Sequence, residues 1–259
     1  GLGRIQFVRD EVAAGREKTL DEVLAIRPVD FVRNDAYAWS WTLCRFLDGH
    51  PRWRKPFRQL SGRLTYREFR RRFQEDFGAA ASELRLEWQL YIRSLQEGFD
   101  SERAAVVFRP DVRPSGATPM KVEIDAARGW QSTGLLLEAG RDYELTASGS
   151  FQVANSPKPW ISEPQGVSIR YFEGRPLGQL IGWVGSETRT ALAVDDEETD
   201  GARAKSPAAV TPESEYLTIG RGRVIRPEKT GILFLRANDA WNALDDNRGT
   251  LAVSIRRVP

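Results

Sequence analysis

The spacing of apolar positions changes character along this chain. In the first hundred residues it is helical. Tyr37, Trp41, Cys44 and Leu47 recur every three to four positions, predicting a helix over Ala36 to Asp48 that buries Cys44 and ends at Gly49 and Pro51. Phe69, Phe73 and Phe77 follow at i, i+4 and i+8 with Arg70, Arg71 and Arg72 on the opposite face, and Gly78 is placed to cap that helix. Thr19 with Glu22, and Thr65 with Glu68, have the capping-box spacing, in which the hydroxyl takes one orphan N–H and the carboxylate another. Ser82 is predicted to cap a last helix that carries Leu84, Trp88, Tyr91, Ile92 and Leu95 on one stripe up to Gly98.

Between Phe108 and Met120 the periodicity disappears into Pro110, Pro114, Ser115, Gly116 and Pro119, the composition of a linker. Beyond it the period is two. Residues 143–147, 166–172, 231–235 and 250–255 read as strands, and in the last of them Leu251, Val253 and Ile255 share one side. Short strands joined by Gly-rich turns, with no helical pattern between them, predict a β-sandwich. The expected organisation is therefore an all-α domain over residues 1–108, a linker over 109–120 and an all-β sandwich over 121–259. Asp195 to Pro207, acidic and then small and polar, is expected to be a surface loop.

Composition narrows the chemistry. A chain of 259 residues with 41% hydrophobic content can bury two cores. One cysteine excludes an internal disulfide framework and any zinc site built on paired thiolates. A single histidine, His50, excludes a centre made of two imidazoles and leaves Cys44 and His50 as an unpromising nucleophile–base pair; His50 reads better as a cation at a helix C-terminus. There is no HExxH and no phosphate-binding loop, so no catalytic residue is assigned. No apolar run reaches the length of a membrane span. The chain does not start with Met, its one methionine being Met120, which suggests a piece of a longer protein.

The net charge of +2 does not call for a nucleic-acid partner. From Arg52 to Arg72, however, nine basic residues stand against one acid, Glu68. Such a run can follow an anionic surface or be a solvated helix face whose long stems cover apolar area; no nucleic-acid motif accompanies it, which favours the face.

One segment concentrates oxygen. Between two strands, Asn238, Asp239, Asp245, Asp246 and Asn247, with Asn242 among them, lie in one loop. Calcium takes six to eight oxygens from carboxylates, amides and carbonyls, and this loop offers that chemistry without the EF-hand spacing. Asp and Asn are also ordinary turn formers, so composition leaves both readings open.

The residues from about Trp130 to Val258 resemble the LecA-type (PA-I-like) calcium-dependent galactophilic lectins, whose domain is a jelly-roll-like β-sandwich. The resemblance is carried by Thr133-Gly134, Ala139-Gly140-Arg141-Asp142 leading into Thr146-Ala147-Ser148-Gly149, the stretch Gly178 to Gly182, and above all Asn238-Asp239 followed by Asp246-Asn247-Arg248-Gly249. It implies calcium ligands from the side chains of Asp239, Asp246 and Asn247 and from the carbonyls of Ala243 and Val153, with sugar hydroxyls completing the shell beside Asp239 and Asn247. Where the lectin pattern has Asn, this chain has Asp246, which adds a negative charge. The family's His-Pro-x-Gln stretch falls on Ser162-Glu163-Pro164-Gln165, so Gln165 is retained as a sugar contact and the histidine is not.

The helical part resembles the region after the zinc motif in uncharacterised gluzincin-like bacterial metallopeptidase-related proteins. Ala36-Tyr37-Ala38-Trp39-Ser40-Trp41, Phe69 to Phe73 and Leu86 to Ile92 carry that likeness, along with Gly1-Leu2-Gly3. None of the zinc-binding residues falls in this chain. Together the two resemblances imply a calcium-dependent carbohydrate-binding module on a non-catalytic helical domain, with a galactose-like glycan as partner and a bacterial exported, periplasmic or cell-surface setting. The alternatives are a fragment of a zinc peptidase whose motif lies upstream and an interaction protein with no active site.

Overall fold

The structure, a computed structural model, describes residues 2–60, 62, 64–185 and 216–258. The expected Asp195–Pro207 loop lies outside the described residues. The chain divides into two units, residues 2–97 and residues 98–258 of the described chain. The first is helical and the second is built of β-sheets, as the change of period predicts. Among the described residues no helix is long and apolar enough to cross a membrane.

The helical unit comprises α1 (Leu2–Ala13), α2 (Leu20–Leu24), α3 (Asn34–Gly49), α4 (Arg54–Gln59), α5 (Tyr66–Phe77) and α6 (Ala81–Ser94). Both capping boxes form: Thr19 accepts from the Glu22 N–H and Thr65 from the Glu68 N–H, while each glutamate carboxylate takes the cap residue's own N–H. The aromatic core gathers Trp39, Phe46, Trp88 and Phe77, all nearly inaccessible. Two local expectations are corrected. The buried stripe of α3 is Ala36, Trp39, Leu43, Phe46 and Leu47, so the face is turned by about one residue and Cys44 is exposed. Two apolar ladders were available on this helix, and the one ending in Phe46 and Leu47 meets Trp88 and Tyr91 of α6. Gly78 does take the C-cap position of α5, its N–H donating to the Gln74 carbonyl, and with φ −60° it leads through a 3₁₀ turn (Gly78–Ala80) directly into α6. Ser82 consequently lies inside the first turn of α6, and Ala80 takes the cap position.

His50 stands at the C-cap of α3, the helix-terminal position expected of it, and is buried there. It is 5% exposed, and the Arg52 N–H donates to its Nδ1, which leaves Nε2 to carry the ring proton and donate to Glu87 Oε1 at 2.9 Å. Trp53 Nε1 donates to the other Glu87 oxygen at 2.6 Å. Part of the basic run is ion-paired in place: Arg52 pairs with Glu83, Arg58 with Asp48 and Arg71 with Glu75, while Arg70 lies over the Tyr66 ring.

Among the described residues of the second unit a short helix, α7 (Ser101–Ala104), precedes thirteen strands. A five-stranded sheet has β1 (Arg113–Pro114), β3 (Gln131–Leu137), β12 (Gly231–Ala237), β9 (Leu180–Gly185) and β10 (Leu217–Thr218) in that order. A four-stranded sheet has β11 (Gly222–Ile225), β4 (Tyr143–Ser148), β13 (Thr250–Arg257) and β2 (Met120–Asp125). Only the β1–β3 pair is parallel among the pairings of these two sheets. Leu135, Leu137, Leu233 and Leu235 from one sheet meet Val122, Leu145, Leu251, Val253 and Ile255 from the other in one core, which makes the unit a sandwich. Two hairpins complete it: β5 (Phe151–Ala154) with β6 (Trp160–Ser162), and β7 (Val167–Phe172) with β8 (Arg175–Leu177).

The β unit begins earlier than the proline-rich stretch suggested. Val107 bridges to Gln131, Arg113–Pro114 pair alongside β3 and the Ser115 N–H donates to the Leu136 carbonyl, so the stretch from Val107 to Ser115 touches the five-stranded sheet repeatedly instead of spanning open space. Pro114 sits in the edge strand of that sheet, where a missing N–H is tolerated.

Candidate metal centre

The 238–249 loop connects β12, in the interior of one sheet, with β13, in the interior of the other. Apolar anchors fix it. Trp241 is 4% exposed and stacks on Phe99, and Leu244 is fully buried at the start of a 3₁₀ turn (Leu244–Asp246). Asn238, the first residue of the loop, donates its amide to the carbonyls of Phe172, Arg175 and Pro176 at 3.0–3.1 Å, which ties the loop to the β7–β8 turn.

Asp239, Asp246 and Asn247 come together. Asp239 is 2% exposed; its Oδ1 accepts from the Ala240 N–H at 2.7 Å and its Oδ2 from Asn247 Nδ2 at 2.9 Å. Asn247, with no exposed surface, also donates to the Ala126 carbonyl at 3.1 Å. Asp246 Oδ2 accepts from the Asn155 N–H at 3.0 Å. Two oxygens are then left over. Asp246 Oδ1 and Asn247 Oδ1 are buried and take no hydrogen bond. An unpaired buried oxygen is costly, and a native structure with two in one loop calls for a partner that the protein does not supply. A cation or a buried water can partner both.

The electrostatics agree. Burial pushes the Asp239 carboxyl up to about 6, the repulsion of Asp246 adds to it, and hydrogen bonds from Asn247 and Ala240 together with the Arg236 charge oppose it. A site of this kind disfavours its own negative charges until a positive one is placed among them. Among the described residues no three His, Cys, Asp or Glu side chains gather as metal ligands. The donor set here is two carboxylates and an amide with carbonyls nearby, the hard-oxygen mixture that suits calcium rather than zinc.

The carbonyl candidates lie close in the fold. Gln152 of β5 pairs with Arg248 of the loop through both backbone hydrogen bonds, at 2.8 and 3.1 Å, and its side chain donates to the Asp246 carbonyl. Val153 follows at a bulge, where the register slips between Gln152 and Ala154 and one residue has no opposite number in the ladder. Ala243 is the N-cap residue of the 3₁₀ turn that holds Asp246. Gln165 is different. It is exposed, and its hydrogen bonds run to Glu163 at 3.1 Å and from Arg221 at 2.7 Å, not to the Asp239 cluster.

Sequence reasoning missed Arg236. This residue is 2% exposed, donates to the carbonyls of Ala237 and Asp239, and lies 3.6 Å from the Trp241 ring centroid. The signal was available as a lone cation in the strand Gly231–Ala237, whose other residues are apolar and all buried.

The fold and the loop thus define a two-sheet sandwich with a buried oxygen cluster on the connection between its sheets. Among solved structures the chain is similar to one described as "EclA N-terminal domain; PllA-like lectin", at 19% identity and a TM-score of 0.37, over 53% of this chain and 95% of that one. No family model matches the chain, and no curated protein matches it.

Proposed function

We propose that residues 98–258 form a calcium-dependent carbohydrate-binding module with a jelly-roll-like fold, in which Asp239, Asp246 and Asn247 hold the cation with the carbonyls of Val153 and Ala243. The observation that supports this most directly is the pair of buried, unpartnered oxygens, Asp246 Oδ1 and Asn247 Oδ1, beside the buried Asp239 carboxyl. Bound calcium supplies a hard Lewis-acid centre to which vicinal hydroxyls coordinate. The chain's own contribution is to keep the oxygens dry and preorganised. Burial of Asp239 and the Asn247 bridge to Ala126 perform that task before any ligand arrives. The sugar class, galactose-like, rests on the sequence resemblance of the same loop. Gln165 would enter it as a polar contact only by leaving Arg221 or Glu163.

Thermal unfolding of the full chain in excess calcium and in EDTA tests the reading. Calcium at 100 times its dissociation constant adds about 2.7 kcal/mol to the folded state, a shift of several degrees in the transition of the β unit. Asp239→Ala should abolish the shift. Titration with methyl galactoside should then show binding in calcium and none in EDTA. No shift at millimolar calcium would refute the proposal.

A further inference from the structure

We propose that Arg236 is the positioning residue of the candidate calcium centre, a backbone clamp that fixes the turn on which Asp239 stands. The functional part of this inference rests on the calcium reading above; the clamp itself rests on geometry.

Arg236 Nε donates to the Ala237 carbonyl at 3.0 Å, and Nη2 donates to the Asp239 carbonyl. One planar fork therefore holds two carbonyls separated by a single residue, across the point where β12 ends and the loop begins. The guanidinium lies 3.6 Å from the Trp241 ring centroid and 5.8 Å from that of Trp130, so it is lodged between two buried indoles. Trp241 in turn stacks on Phe99, and its carbonyl accepts the Asp100 N–H at 2.9 Å. Among the described residues no side-chain carboxylate forms an ion pair with Arg236.

Burying a cation costs several kcal/mol, and a strand that is otherwise wholly apolar would pack as well with a leucine or methionine. What an apolar residue cannot do is bind the carbonyls of residues 237 and 239 at once. Lysine cannot do it either, because an ammonium is a point charge on a flexible stem, whereas guanidinium presents its N–H groups in a fixed plane that also stacks on aromatic faces. The clamp acts on Asp239 through the backbone and never touches the ligand oxygens that the calcium reading uses.

At pH 8.5, where Asp239 is ionised with or without the help of Arg236, charge and position predict opposite signs. A fixed positive charge near a cation site then opposes binding, so if charge were Arg236's main effect, Arg236→Met would bind calcium more tightly. If the clamp dominates, removal weakens binding despite the relief of repulsion. The experiment compares wild type, Arg236→Lys and Arg236→Met as full chains. Two quantities are read: amide hydrogen exchange in EDTA and calcium affinity by calorimetry. In EDTA, the Ala240 N–H, which is bonded to Asp239 Oδ1, should exchange more than about tenfold faster in both variants relative to the Val253 amide of β13. Calcium affinity should fall at least about tenfold in both. Ala240 exchange within about threefold of wild type, or calcium affinity that is unchanged or tighter, would overturn the proposal. A wild-type chain that binds no calcium would refute the calcium reading, and the exchange measurement would still decide whether Arg236 is the clamp. Should Arg236→Met fail to fold, Arg236→Lys alone keeps both measurements, since it retains the charge and removes only the fork.

Discussion

Replacing Asp239 with Asn should flatten a pH dependence that the wild-type fold carries in the absence of calcium. The Asp239 carboxyl sits at about 6 in the folded protein against an ordinary value of 3.8, chiefly because it is buried. A carboxyl raised on folding holds its proton more tightly in the native state. Its contribution to stability is therefore largest below pH 3.8 and is lost as the pH rises through 6. Between pH 4.5 and 7.5 this single group removes about 2 kcal/mol, roughly a thirtyfold change in the folding equilibrium. The variant has no such proton. It does present a donor where Asp239 accepts from Ala240 and Asn247, but that cost applies at both ends of the window and cancels in the difference. Urea unfolding in EDTA, followed through the NMR signals of β13 amides, isolates the β unit. The stability difference between wild type and Asp239→Asn should move by about 2 kcal/mol in favour of the variant from pH 4.5 to 7.5. Saturating calcium should reverse the wild-type trend, because the cation binds the ionised form. Parallel pH profiles in EDTA, within 0.5 kcal/mol or so, would show that the carboxyl is not buried as described and would remove the electrostatic case for the site.

Two further substitutions probe the scaffold. Glu87→Leu should cost about 3–5 kcal/mol in urea unfolding of the helical unit, because the buried N–H groups of His50 and Trp53 lose their shared acceptor; a loss below 1 kcal/mol would mean that water takes Glu87's place. Gly178→Ala should cost about 2–4 kcal/mol, since φ is +78° and a Cβ would stand 2.4 Å from Ser162 Oγ and 2.9 Å from Val153 Cγ1; Gly174→Ala, at φ +72° with open space around it, should lower the melting temperature far less.

Much of this was legible in the sequence where a rule is local. The Thr–Glu spacings at 19–22 and 65–68 needed only neighbours in the chain, and both boxes form. The alternation of Leu251, Val253 and Ile255 likewise fixed which face of β13 points inward. Features decided by distant partners were harder to read. On α3 two apolar stripes of similar quality compete, and only the position of Trp88 and Tyr91 on another helix selects the one that excludes Cys44. The place of His50 at a helix end was legible, but its acceptor, Glu87, is 37 residues away and was not. The oxygen-rich loop was visible as composition. That Asp246 and Asn247 each keep one oxygen unpaired depended on Asn155 and Ala126, which no spacing rule connects to them.

The loop that carries Asp239 and Asn247 is also one of the seams between the two sheets. β12 is flanked on both sides in one sheet and β13 on both sides in the other, so neither can be peeled from an edge, and the chain between them is one path by which mechanical load passes from layer to layer. A ligand that grips both ends of this seam would act as a cross-brace. Its occupancy should then slow the rupture of the unit under force.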